Sequence, residues 1–174
     1  AWSTEWVSDP EVRPGIQTAL QESLGKEGQT LEAFSLSANR AEVRITNYRY
    51  LSQPEAIGRT ARIMTRALPP SVETFVITSV RRGVPTSSVI LQRSDVEANE
   101  QDASYEILNE AVFSDALRAA EGEGELFPSD GIYPRFVWAI TPYVEANFFD
   151  PVEPVRADLG IQAAASYEVR PGLF

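Results

Sequence analysis

Cysteine and histidine are both absent from the 174 residues. The first absence rules out a disulfide framework, a thiolate metal site and a cysteine nucleophile. The second removes the usual zinc ligand sets, the histidine-based triads and the commonest general base. What remains for chemistry is carboxylates, Tyr, Ser and one lysine, Lys26, so the composition disfavours an enzyme and gives no catalytic residue, metal site or cofactor. Lys26 itself stands in "GKEG" at a helix end, where its charge offsets the helix dipole. Basic residues are scarce: 15 Lys and Arg face 25 Asp and Glu, a net charge of −10, with the arginines scattered. Nucleic acid is excluded as a partner, because phosphate neutralisation needs clustered positive charge. No apolar run reaches about 18 residues, so no helix spans a membrane, and the first residues lack the regions of a signal peptide.

What is present reads as helix, strand, strand, twice over. In "DPEVRPGIQTALQESLGKEG", Asp9 caps a helix start with Pro10 at the first position. Ile16, Leu20 and Leu24 form a stripe, Gly25 or Gly28 ends it, and Pro14-Gly15 delays the start. "TLEAFSLSANRAEVRITNYRY" predicts a hairpin about Asn39-Arg40. "SQPEAIGRTARIMTRALPP" predicts a second helix, capped by Ser52, with Ile57, Ala61, Met64 and Leu68 on one face and Pro69-Pro70 as the stop. "VETFVITSVRRGVPTSSVILQR" predicts a second hairpin about Arg82-Gly83, with Pro85 tolerable at an edge. An offset of 41 residues matches Ile16 with Ile57, Leu31 with Val72, Glu32 with Glu73, Phe34 with Phe75, Arg40 with Arg81 and Val43 with Val84. This suggests an αββ duplication. The competing reading is that two helix-hairpin segments of equal length share apolar spacing in any case. Either way, one helical stripe per hairpin suits helices on one face of a four-stranded, mainly antiparallel sheet.

Acids cluster next: Asp95, Glu97, Glu100, Asp102 and Glu106, then Glu121, Glu123, Glu125 and Asp130. Their spacing is not that of an EF-hand, so they read as a solvated face and no metal is assigned. A connecting helix is expected from about Tyr105 to Glu121, with Ile107, Leu108, Ala111, Val112 and Leu117 apolar. The chain then changes period. Phe136, Trp138, Ile140, Val144, Ala146 and Phe148 take one face of a strand. After the turn "FDPVEP", Val155, Ala157, Leu159, Ile161, Ala163, Ala165, Tyr167 and Val169 take one face of a second. Two long strands, each with an apolar and a more polar face, match the pattern of transmembrane β-barrel strands. A long hairpin covering a soluble core has the same pattern. Pro171-Gly172 reads as a turn and Leu173-Phe174 as the start of a further strand, which favours the barrel reading and a chain that continues.

The expected organisation is therefore α+β: duplicated αββ units over residues 1–98, an acidic helical connector over 99–131, and a long β-hairpin over 132–174, the start of a β-barrel. Two stretches, "QPEAIGRTARIMTRALPPSVETFVITSVRRGVPTSSVILQRSDVE" and "YPRFVWAITPYVEANFFDPVEPVRADLGIQAAASYEVRPGLF", resemble the YjbH family of exopolysaccharide and group 4 capsule lipoproteins (YjbH/GfcD/WbfB-like). The most telling pieces are "EAIGRTARI" leading to "PPSVETF", and "PRF" to "PYV" followed by "DLG" and "ASYEVRPGL". The resemblance implies an outer-membrane location with this module in the periplasm, barrel segments, and a role in producing, exporting or presenting polysaccharide. The implied partners are other exopolysaccharide or capsule export proteins, the polysaccharide itself, and the outer membrane through the barrel portion. The resemblance carries over no active-site residue, and this chain lacks the family's lipid-attachment cysteine.

Three functions are then weighed. The first is a non-enzymatic periplasmic module that docks a partner or guides the polymer, since open sheet edges suit strand addition. The second is a soluble glycan-binding module, for which Trp2, Trp6, Tyr48 and Tyr50 are the candidate glycan or partner contacts. Trp138 and Tyr143 read instead as core or membrane-interface packing. The third is a carboxylate-pair glycosidase, which needs two acids about 5–9 Å apart, and no pair stands out in the sequence.

Overall fold

The computed structural model describes residues 3–98, 112–115, 126–148 and 155–169. They belong to two compact units, Ala1–Asp130 and Gly131–Phe174. In the first, a 3-10 turn at Glu5–Ser8 leads to α1 (Val12–Lys26), β1 (Gln29–Leu36), β2 (Arg40–Asn47), α2 (Gln53–Ala67), β3 (Thr74–Arg81), β4 (Val84–Gln92) and the short α3 (Arg93–Ala98). It also holds β5 (Val112–Asp115) and β6 (Phe127–Pro128).

Local chemistry accounts for most of these boundaries. Pro14 lies in the first turn of α1, where its missing N–H would have had no helical partner, so the helix forms through it. Asp9 caps outside the helix, its carboxylate accepting the Glu11 N–H at 3.0 Å. Leu20 and Leu24, one turn apart, are fully buried. Gly28 adopts φ +69° to end the helix and enter β1, and a Cβ there would lie 2.8 Å from that of Arg49. α2 starts after Ser52 in extended conformation with Pro54 in its first turn, and buries Ala56, Ile57, Gly58, Thr60, Ala61 and Met64. The β3–β4 turn has φ +51° at Arg82 and +73° at Gly83, both left-handed, as a two-residue hairpin turn requires.

The sheet runs β5-β4-β3-β2-β1-β6. Every pairing is antiparallel except β2 with β3, which α2 connects as a crossover. Leu31, Phe34, Ala41, Val43, Ile45, Phe75, Ile77, Val89 and Leu91 from the strands meet Leu20, Leu24, Ile57, Ala61 and Met64 from the helices in one core. Both helices therefore lie on the same face. A buried polar bridge fixes α2 on β1: the Thr60 hydroxyl donates to Gln29 Oε1 at 2.6 Å, and the Gln29 amide donates to the Ala56 carbonyl at 3.2 Å.

The α+β class and the four central strands are as the sequence predicts, but two expectations need correction. Val112–Asp115 is a strand on the edge of β4, not part of a helix. β-branched and aromatic residues at Val112-Phe113 suit a strand, and the free edge of β4 supplies hydrogen bonds that a local helix pattern cannot foresee. The rest of the expected helix, with Glu100, Asp102, Glu106, Glu121, Glu123 and Glu125, lies outside the described residues. β4 is consequently internal at Ser87–Ile90, while Pro85 falls beyond the reach of β5.

The duplication is the second correction. The 41-residue offset carries α1 onto α2 end for end, yet β3 and β4 start 45 and 44 residues after β1 and β2. β1 and β3 also run in opposite directions, because β2 is antiparallel to one and parallel to the other. With both helices on one face, no rotation superposes the halves. The matched letters do different work: the Glu32 carboxylate accepts the Thr46 hydroxyl, whereas Glu73 accepts the backbone and hydroxyl of Ser94.

In the second unit, β7 (Arg135–Phe148) pairs antiparallel with β8 (Val155–Glu168) along its whole length, from Arg135 opposite Glu168 to Phe148 opposite Val155. Residues 149–154 and 170–174, which hold the expected turn and the start of a further strand, lie outside the described residues.

Candidate functional site

The β7–β8 register decides which side chains share a face. It sets Phe136 opposite Tyr167, Trp138 opposite Ala165, Ile140 opposite Ala163, Pro142 opposite Ile161 and Val144 opposite Leu159. Ala146 with Ala157 and Phe148 with Val155 complete the set. Cross-strand partners point the same way, so the two apolar faces read from sequence become one largely apolar surface. Trp138, Val144, Leu159 and Ile161 are 65, 69, 80 and 75% exposed, so this surface is uncovered. The other face pairs Thr141 with Gln162, Tyr143 with Gly160, Glu145 with Asp158 and Asn147 with Arg156. Its end is closed by an ion pair, Arg135 Nε to Glu168 Oε2 at 2.6 Å, with Glu168 buried. At its middle the Tyr143 ring lies over Gly160, where any Cβ would run into it. Fourteen residues at about 3.4 Å each extend roughly 47 Å, against the 9–11 residues that a membrane strand requires.

The face of the six-stranded sheet away from the helices mixes polar side chains with Val76, Ile90 and Val112. Glu42, Arg44 and Thr46 alternate with the core residues of β2, and Thr78 and Ser88 follow on β3 and β4. Arg44 pairs with Glu42 at 3.3 Å, Thr46 donates to Glu32 at 2.6 Å, and the Thr78 and Ser88 hydroxyls lie 2.7 Å apart. Glu32 and Glu42 are both buried, although nothing in the sequence separated them from the other acids. Glu32 reaches this face by ordinary alternation after Leu31, and a bulge at its position, between Leu31 and Ala33, returns Phe34 to the core face.

The aromatic residues expected to contact glycan have different surroundings. Trp2 lies outside the described residues. Trp6, in the 3-10 turn, is half-buried against the core, and its indole N–H donates to the Ser71 hydroxyl at 2.9 Å. Tyr48 is 64% exposed on the loop after β2. Tyr50, two residues on, is held by Asn47, whose amide oxygen accepts the Arg49 and Tyr50 N–H groups and whose amide donates to the Tyr50 carbonyl at 2.7 Å. The Tyr50 hydroxyl donates to Glu27, which also pairs with Arg59 at 3.2 Å. The guanidinium groups of Arg59 and Arg49 stand 4.8 and 5.7 Å from the ring centre. The Tyr50 hydrogen bond, aided by Arg59 and Arg49 against some burial, holds the Glu27 carboxyl below its ordinary value. Burial and the Glu27 carboxylate raise the Tyr50 phenol. Tyr50 thus clamps the end of α1 to α2.

No group of acids among the described residues is arranged to hold a metal ion, and no described helix is long and apolar enough to cross a membrane. The family model of YjbH, described as exopolysaccharide biosynthesis protein YbjH, matches residues 5–174. The chain belongs to the YjbH family. No curated protein and no solved structure gives a match. Membership ties this YjbH chain to exopolysaccharide biosynthesis, and the matched range takes in the second compact unit whole and the first from residue 5 onward.

Proposed function

We propose that this YjbH chain is a non-enzymatic periplasmic module joined to outer-membrane strands, and that it acts in exopolysaccharide or capsule production and export by docking other export proteins or guiding the polymer. The apolar surface of β7–β8 carries the reading: seven alternate cross-strand pairs whose only polar side-chain groups are the Trp138 indole N–H and the Tyr167 hydroxyl, backed by a more polar face. Water does not favour such a surface, and lipid does. The polar face would then line the interior of a barrel completed by further strands. A non-enzymatic role is supported by the lack of histidine and cysteine and by the engagement of the buried carboxylates Glu32 and Glu42 with Thr46 and Arg44.

The test compares the whole chain with one ending at Asp130, the last residue of the first unit. Loss of self-association and detergent uptake, with the remainder still folded, is the expected result. Unfolding of the remainder would make the hairpin part of a soluble core and end the barrel reading. Unchanged polymer length after long incubation with the chain is expected of a non-enzyme, and shortening would overturn that part.

A further inference from the structure

One flank of α1 and the short strand β6 enclose an open cleft of about 410 Å³, lined by Arg13, Pro14, Gln17, Thr18, Gln21, Phe127, Pro128 and Asp130. Its volume is in the range of small-molecule sites. One wall is firmly built. β6 pairs with β1 through Phe127 opposite Phe34 and Pro128 opposite Ala33, the Ser129 N–H donates to the Glu32 carbonyl at 3.0 Å, and the Gln17 amide donates to the Pro128 carbonyl at 3.3 Å. The Arg13 guanidinium stacks on the Phe127 ring, 3.6 Å from its centre. Stacking uses the flat face of the guanidinium and leaves its N–H edge directed outward. Among the described residues Arg13 makes no ion pair, in a chain of net charge −10, and neither the Gln21 amide nor the Asp130 carboxylate has a hydrogen-bond partner.

We infer that this cleft is a subsite for an acidic sugar of the uronate type, an assignment that rests on the proposed role with exopolysaccharide. The donor and acceptor set fits one ring. The Arg13 fork matches a carboxylate in two parallel hydrogen bonds, the Asp130 carboxylate and the Thr18 oxygen accept from ring hydroxyls, and the Gln21 amide can do either. Thr18 already donates its proton to the Pro14 carbonyl at 3.0 Å, which leaves its oxygen as an acceptor. The Pro14 and Pro128 rings offer apolar edges to the C–H face of a sugar. The residues arise at intervals of three and four along α1, so they share one flank of the helix, beside the buried stripe that carries Leu20 and Leu24.

Calorimetric titration of the whole chain with an oligoglucuronate tetrasaccharide, and with a glucose tetrasaccharide as the neutral control, tests the assignment. Uronate binding is expected to exceed glucose binding, and Arg13→Gln should weaken it at least tenfold while leaving the glucose signal unchanged. Asp130→Asn, at an exposed position outside the core, should weaken both sugars, and unaltered melting would show that each variant is folded. Equal binding of the two sugars, no uronate binding, or uronate binding indifferent to both substitutions would overturn the subsite. Detergent uptake by the hairpin is read on the same samples. Its persistence without uronate binding would sink the subsite alone, and its absence with uronate binding would sink the membrane reading alone.

Discussion

Ala163 and Gln162 are neighbours on β8, and replacing each by arginine should have opposite consequences. Ala163 faces Ile140 in the middle of the apolar surface, whereas Gln162 faces Thr141 on the polar side. If the apolar surface meets lipid, Ala163→Arg places a charge near the bilayer midplane, at a cost of about 2–4 kcal/mol. At about 1.4 kcal/mol per tenfold, partition should fall on the order of 30- to 700-fold. Gln162→Arg puts the same charge on the face that would border water, so its partition should stay within about twofold of the parent. The assay is co-sedimentation of the whole chain with phospholipid vesicles over a lipid titration, with circular dichroism to confirm that both variants keep their strands. Equal losses for the two variants would refute the two-faced reading, because the period of a strand then decides nothing. No loss for Ala163→Arg would show that the apolar surface does not meet lipid.

Three further perturbations address the first unit. Phe75 is fully buried between sheet and helices, so Phe75→Ala should lower the stability measured by urea unfolding by about 3–5 kcal/mol. Arg93, also buried, donates to the Leu68 and Pro69 carbonyls at 3.3 and 2.8 Å and to the Thr65 carbonyl, closing the end of α2. Arg93→Ala should cost about 2–4 kcal/mol in the same assay, and Arg93→Lys should recover only part, since an ammonium cannot reach three carbonyls in a fork. A recovery as large as the parent would contradict that geometry. Glu27, whose carboxyl is held below its ordinary value by Tyr50 and the nearby arginines, contributes stability that is present above its unfolded pKa of about 4.3 and is lost as the pH falls through its lower folded value. Glu27→Gln should therefore melt below the parent at pH 7, the gap closing in acid. A gap that is constant from pH 7 to pH 3 would remove the carboxylate from the explanation.

The elements legible in the sequence are those whose signals are local. Ile16, Leu20 and Leu24, or Ile57, Ala61 and Met64, recur at helical spacing whatever surrounds them. Arg82-Gly83 makes its turn from its own dihedrals, and the hairpin faces follow from period two alone. Trp6 could not be placed this way, because its partner Ser71 is 65 residues distant. β5 has no decisive strand signal of its own, because its hydrogen bonds come from β4 and not from its own neighbours in the chain. The Arg13–Phe127 stack, like the buried Glu32 and Glu42, has no sequence signature, since its two parts meet only through the pairing of β6 with β1.

Sequence by itself determined that this chain has two amphipathic helices, two ordinary hairpins and one long two-faced hairpin, because side-chain period and turn chemistry act over a few residues. Tertiary structure decided that β2 lies parallel to β3, that the matched halves are not superposable, that the two apolar strand faces coincide, and that α1 and β6 enclose a cleft. Strand order, register and edge pairing are contacts between residues far apart in the chain, and only packing around the shared core selects among them.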